Sequence, residues 1–362
     1  MKGEEIMETT KIRQIMEQYG LDLDAEAFGN GHINDTYRVC GQPLVLQRIN
    51  TSVFQNPDGL MENIEKVTSF LRRKIAAEGG DPERETLRIV HTKDGKPYYR
   101  TDENHVFRMY KLVEGTMSIE DDKTPEGLYK AGKGFGHFLK LLNDFPVEEL
   151  HETIPDFHHT PKRVEALKQA IAEDRAGRAK LAASEIAFAL EQAKWADRVV
   201  KGLEDGNIPS RVTHNDTKIN NILFDEVTGE AVCVIDLDTV MPGSMLYDFG
   251  DALRMGASTA AEDETDLDQV CFSTEAFLSF ARGYLEEMRE ELTETELELL
   301  PFSVKLLTYE CGIRFLTDYL NGDTYFKIHR ENHNLDRARN QFKLVAEISR
   351  KEAVLQEMVK TL

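Results

Sequence analysis

The chain has 362 residues, more than one compact core usually serves, so two domains or lobes are expected. Its 41% hydrophobic and 30% charged content is that of a soluble globular protein, and no apolar run is long enough to span a bilayer. With 65 acidic and 44 basic residues the net charge is -21, which repels a polyphosphate backbone and argues against nucleic-acid binding as the main role.

The opening stretch MKGEEIMETTKIRQIMEQYG carries acidic residues and no continuous apolar core, so it does not read as a secretory signal. Next, AFGNGHINDTYRVCGQPLVLQRIN predicts two strands around a turn at Cys40–Pro43. DGLMENIEKVTSFLRRKIAAEG predicts a helix with Leu60, Ile64, Val67 and Leu71 on one stripe. TLRIVHTKDGKPYYRT reads as a hairpin around Asp94-Gly95, and HVFRMYKLVEG as a further strand. From about residue 124 helices dominate, over 124–143, 161–204, 272–293, 295–322 and 334–360, with a break near Asp174–Gly177. The glycines of GKGFGHF at 132–138 fall within such a helix and suit close packing. Cys40, Cys233, Cys271 and Cys311 form no CxxC pair; they read as reduced thiols in a cytoplasmic protein, and a zinc site is not expected.

One short β segment interrupts the helical half. VTHNDTKINNILF runs into an apolar strand, and a turn around Thr228-Gly229 leads back through AVCVIDLD. If the turn is centred between Thr228 and Gly229, antiparallel pairing puts Asn221 across from Asp236; a bulge at Gly229 would shift this by one residue. An amide and a carboxylate at one hairpin mouth suit Mg²⁺, which prefers oxygen ligands. Asp216, five residues upstream, is placed to accept a proton from a hydroxyl nucleophile, completing what phosphoryl transfer needs. The competing reading is a polar turn in which Asp and Asn act only as caps.

HNDTKINN and VIDLD resemble the catalytic loop and metal-binding segment of the aminoglycoside phosphotransferase/choline kinase superfamily, relatives of the protein kinases. The blocks GNGHINDTY, LVLQRINTSVF, FHHTPKR, VTHNDTKINNIL, IDLDTVMPGSMLYDFGDALR and LLTYECGIRFLTDYLNGDTYF resemble the N-acetylhexosamine 1-kinases, over about residues 26–345. This resemblance implies an α+β, protein-kinase-like two-lobe fold. It implies a nucleotide-binding lobe at 1–113 and a helical lobe with the catalytic loop and sugar site at 114–362. ATP and Mg²⁺ would be required, and the γ-phosphate would pass to the anomeric hydroxyl of GlcNAc or GalNAc.

By the same resemblance Asp216 is the base, Asn221 and Asp236 bind the metal, and His214 and Asp248 brace the loop. The literal DFG at Asp248–Gly250 is therefore not taken as the metal site. Lys218 would offset phosphate charge or lie exposed, and Asp238 stays unassigned. Gly29 and Gly31 suit a phosphate approach, and His32 and Asn34 would face the substrate. The third strand lacks the expected Lys, so Gln47 or Arg48 would take its place, and Glu65 would be the matching helix acid. Adenine would meet the backbone near Leu112 to Glu114, and Arg314 and Tyr325 would contact the sugar. Two other functions fit the superfamily pattern. One is a kinase of choline, ethanolamine, homoserine, methylthioribose or an aminoglycoside; the other is a non-catalytic pseudokinase, supported only by the missing Lys.

Overall fold

The computed structural model describes residues 9–29, 33–102, 104–120 and 122–362, which form two compact units. The first unit comprises the segment up to Ser118 together with Asp144–Pro155 and Leu223–Met241; the second takes the remaining chain. The chain thus passes between the units several times, where a single boundary at 113/114 was expected.

In the first unit an antiparallel sheet runs in the order β1 (Ala25–Ala27), β2 (Asp35–Val39), β3 (Leu44–Ile49), β6 (Val106–Lys111), β4 (Ile89–Val90). The expected turn at Cys40–Pro43 joins β2 to β3. The segment read as a hairpin around Asp94-Gly95 does turn there, but β4 and β5 (Tyr98–Arg100) each pair with β6 rather than with each other. Strand β6 is buried from Val106 to Tyr110, which explains its nearly unbroken apolar sequence. Helix α1 (Thr9–Gln18), absent from the sequence expectation, packs Ile12, Ile15 and Met16 against Val39, Leu46, Phe107 and Met109. Helix α2 (Pro57–Glu78) begins where the Asn56 side chain accepts from the Gly59 N–H and ends at left-handed Gly79; Leu60, Ile64, Val67 and Leu71 are buried as the stripe requires.

Beside this sheet β7 (Thr116–Ser118), β9 (Ile222–Asp225) and β10 (Ala231–Val234) form a three-stranded sheet in the order β10-β9-β7. Pairing of Met117 with Phe224 is what draws this late segment into the first unit. The turn between β9 and β10 closes through Asp225 N–H to the Glu230 carbonyl and Gly229 N–H to the Asp225 carbonyl, both 2.8 Å. The Asp225 carboxylate also accepts from the Val227 and Thr228 amides. This side-chain capping centres the turn between Val227 and Thr228, one residue earlier than expected. Strict pairing of Asn221 with Asp236 therefore does not follow; they are the residues that precede β9 and follow β10.

The second unit is built on helices α3 (Pro125–Leu141), α4 (Thr160–Glu173), α5 (Ala183–Gln192), α6 (Arg198–Glu204), α7 (Met245–Gly256), α8 (Thr274–Met288), α9 (Glu294–Asn321) and α10 (His333–Thr361), with the short strand β8 (Arg211–Thr213) next to β11 (Met241–Gly243). Residues 161–204 form three helices, the first ending at left-handed Asp174. Helix α7 was not expected; Ser244 caps it by accepting from the Leu246 N–H. A Cβ on Gly132 would strike the Phe280 carbonyl and one on Gly283 the Tyr129 carbonyl, so α3 and α8 cross backbone to backbone. Helix α9, almost wholly buried, packs Tyr309, Ile313 and Leu316 against Leu167 of α4 and Leu335 and Val345 of α10. No helix among the described residues is long and apolar enough to cross a membrane.

Candidate active site

In the helical unit, residues 214–221 form a loop held from below by Asp248 in the first turn of α7. Its carboxylate accepts from the His214 N–H (2.8 Å) and the Asn215 N–H (2.6 Å), and its carbonyl accepts from the Thr217 hydroxyl (2.6 Å). Those donors fix Asn215 in a left-handed conformation (φ 65°). Burial pushes the Asp248 carboxyl up to about 6, against the opposing pull of His214 and the two amides. His214 is fully buried, edge-on to Phe135 and Phe138, and its Nδ1 accepts from the Asp216 N–H (3.3 Å).

This bracing presents Asp216. Lys218 Nζ lies 2.6 Å from its carboxylate, and the Asn221 amide donates to the Asp216 carbonyl at 2.8 Å and to its carboxylate at 3.3 Å. Burial raises the Asp216 pKa, but Lys218, aided by His214 and Asn221, outweighs it and holds the carboxyl below its ordinary value. Asp216 is thus an ionised acceptor at neutral pH. Lys218 is exposed, one of the two expectations for it, and pairs with Asp216 from the loop surface.

The segment FHHTPKR gains a physical account. Buried His158 places Nδ1 2.9 Å from Glu310 of α9 and Nε2 3.3 Å from the Asn215 carbonyl, so it supports the same loop. Thr160 donates to the second Glu310 oxygen (2.6 Å), and His159 caps α4. Farther on, the Ala176 N–H reaches the Leu320 carbonyl (3.3 Å), so α4 and α9 run side by side in the same direction. One turn past Thr160 and Glu310 stand Arg163 and Arg314. Arg163 donates to the Phe157 carbonyl (3.0 Å), while its buried Nε has no partner among the described residues. Burial and then the neighbouring Arg314 charge lower its pKa, with Tyr325 also within electrostatic reach. Half-buried Arg314 lies over the Phe326 ring (5.6 Å), whereas Tyr325 is 73% exposed. Asp318 fixes that corner by accepting from the Thr324, Tyr325 and Phe326 amides.

The strand-rich unit holds the other expected residues. Asp236 follows β10 in a left-handed conformation (φ 58°), and a single helical turn, Leu237–Thr239, comes next. Asp238 is buried and accepts from Asn34 Nδ2 (2.6 Å) and from the Arg108 guanidinium. Asn34 Oδ1 accepts from the Asn50 N–H (2.9 Å), so both ends of this amide are engaged within the unit. Gln47 donates to Thr36 and accepts from Arg108 Nε, each at 3.0 Å, while partly exposed Arg48 pairs with Asp35. Glu65 meets His91 Nε2 (2.6 Å). The Leu112 N–H donates to the Pro43 carbonyl (2.8 Å), which removes it as a donor to adenine, and Glu114 is exposed. Gly29 is left-handed with open space at its Cα; Gly31 and His32 lie outside the described residues.

Two groups were missed by the sequence reading, Arg108 and the His158–Glu310 pair. Each had a signal: one charge inside the apolar run VFRMY, and Glu310 four residues before Arg314 in an otherwise apolar helix.

No group of three or more His, Cys, Asp or Glu residues able to hold a metal occurs among the described residues. Within the helical unit Asn221 directs its N–H toward Asp216, which leaves its amide oxygen, a ligand type that suits Mg²⁺, to offer. Mg²⁺ bound through one or two protein oxygens completes its shell with phosphate oxygens and water.

The sequence model of APH, described as a phosphotransferase enzyme family, matches residues 24–289. Several solved structures share the fold at low sequence identity. A microcompartment-associated aminopropanol kinase aligns with TM-score 0.62 and 17% identity over 96% of this chain and 99% of its own. An aminoglycoside phosphotransferase from Alicyclobacillus acidocaldarius aligns with TM-score 0.63 and 14% identity over 99% of both chains. An amicoumacin kinase in complex with AMP-PNP and Ca²⁺ aligns with TM-score 0.57 and 15% identity over 90% of this chain and 88% of its own.

Proposed function

Since the chain belongs to the phosphotransferase enzyme family, we propose that it transfers the γ-phosphate of ATP to the anomeric hydroxyl of an N-acetylhexosamine, giving the sugar 1-phosphate. Asp216 is the base: it takes the proton of the 1-hydroxyl as that oxygen bonds to the γ-phosphorus and the bond to the departing ADP oxygen breaks. Such help is worth roughly 10²–10⁴ in rate. Asn221 and Asp236 hold Mg²⁺, which supplies charge neutralisation at the phosphates. Gly29, Gly31, Gln47 or Arg48, Glu65 and the chain near Leu112 to Glu114, apart from the Leu112 N–H, serve the nucleotide. His32, Arg314 and Tyr325 serve the sugar; Asn34, expected beside them, is instead engaged by Asp238 and the Asn50 amide.

The observation that carries the choice of acceptor is the pair of guanidiniums, Arg163 and Arg314, one turn past Thr160 and Glu310, with Arg314 over the Phe326 ring that follows Tyr325; the nearby carboxylates are already engaged, Glu310 by His158 and Thr160 and Asp156 by Lys162. Two cations disfavour the ammonium group of a choline, ethanolamine, aminopropanol or aminoglycoside acceptor. An uncharged acceptor dense in oxygens, with hydroxyls and an acetamido carbonyl, instead offers the guanidiniums hydrogen-bond acceptors.

The test is ³¹P NMR after incubation with ATP, Mg²⁺ and a panel of GlcNAc, GalNAc, choline, ethanolamine and aminopropanol, with Asp216→Asn as the blank. An anomeric phosphate from the N-acetylhexosamines, absent with the variant, is expected. A 6-phosphate, or turnover confined to the amines, overturns the reading.

A further inference from the structure

Arg108 is a fully buried arginine in the middle of β6, a strand that is otherwise apolar from Val106 to Tyr110. Its backbone stands opposite Gln47 in the β3–β6 ladder, and its Nε donates to the Gln47 side chain (3.0 Å). Nη1 pairs with Asp238, whose side chain is as buried as its own. Asp238 is also held by Asn34, which is itself tied to the Asn50 amide. Asp236, two residues before Asp238, brings a second negative charge within reach of the same guanidinium.

A buried ion pair of this kind is weak evidence for stability, because apolar residues of similar volume often serve a core as well or better. What the pair does accomplish is geometric. Asp236 occupies the left-handed region, which a residue with a side chain keeps only where its surroundings hold it there. The turn that follows it is one short helical turn without a side-chain cap. Arg108 grips that turn by Asp238 and anchors it to the middle of the main sheet of the same unit.

We propose that Arg108 is a positioning residue for the metal: by clamping Asp238 it fixes the direction of the Asp236 carboxylate and so sets the affinity for the divalent cation. The inference rests on the proposed function in one respect, the assignment of Asp236 as a metal ligand. It also accounts for the absence of a lysine in β3, since the buried cation of this sheet comes from the neighbouring strand.

The test is direct binding of Mn²⁺ in the presence of ADP, read from the free-Mn²⁺ EPR signal on the full chain, with thermal unfolding measured beside it. Asp236→Asn is the control for the ligand assignment. Its binding should collapse; if it binds Mn²⁺ as the wild type does, the metal assignment fails independently of Arg108. Arg108→Lys keeps the charge but loses the fork, and should weaken Mn²⁺ binding about 10–100-fold, the usual cost of disturbing a ligand's support. Arg108→Met combined with Asp238→Asn removes both charges, so the fold is retained even where the single Arg108→Met change leaves Asp238 buried and unpaired. Weakened Mn²⁺ binding in this folded double variant supports positioning. Wild-type affinity in it, or in folded Arg108→Lys, whatever the change in melting temperature, overturns the proposal.

Discussion

At the residue scale, Asp216 and Lys218 were legible as a motif, while their coupling was not. The spacing H-x-D-x-x-x-x-N locates the proposed base and metal ligand, but says nothing of where a flexible lysine points. Lys218 is the main influence that keeps Asp216 ionised against burial. A base with a depressed pKa loses activity only as pH falls through that lowered value, below the ordinary range near 3.8. In Lys218→Met the burial effect is left with less opposition and the Asp216 pKa rises. The acid limb of kcat/KM should therefore move to higher pH than in the wild type. Superimposable acid limbs for the two proteins would show that Lys218 does not tune the base.

At the scale of elements, the helices were read well where an apolar stripe repeats locally, as in α2, or where a long run has neither glycine nor turn signals, as over most of α9. Helix α7 escaped because its sequence, MLYDFGDALRMG, also carries the polar residues of a loop-bracing motif. The joint between α4 and α9 has a measurable pH signature. Burial lowers the His158 pKa, but Glu310 raises it by more; burial raises that of Glu310, but His158 and Thr160 bring it below its ordinary value. The histidine contribution is complete below 6.5 and is lost as pH rises through the raised value. The glutamate contribution is complete above 4.5 and is lost as pH falls through the lowered value. Stability from this pair is therefore greatest between these limits. Glu310→Gln should cost about 3 kcal/mol at pH 5.5, the low end for a broken buried pair because His158 can shed its proton. It should also flatten the alkaline decline in denaturation midpoint. A variant as stable as the wild type, with the same pH profile, would remove the pair from the account of the loop.

At the scale of the molecule, the strand-rich unit is assembled from three separated segments, which the sequence did not disclose. A fragment ending at Ser118 lacks β9 and β10, and it leaves Arg108 buried without the Asp238 that lies 130 residues on. An isolated 1–118 fragment should give the collapsed amide dispersion of an unfolded chain in a ¹H–¹⁵N spectrum; a well-dispersed, cooperatively melting fragment would refute this. The α+β class, the strand-then-helix order, the proposed catalytic motif and the family resemblance were all legible in the sequence by itself. All of these are written in local periodicity, turn chemistry and short spacings. The folded structure is what brings the neutralising partners of the buried charges together, Arg108 with Asp238 and His158 with Glu310, and what sets two like charges, Arg163 and Arg314, near one another. The physical reason is that local sequence sets whether a segment is helix or strand, whereas a buried charge is stabilised by whatever partner the folded neighbour brings within about 3 Å.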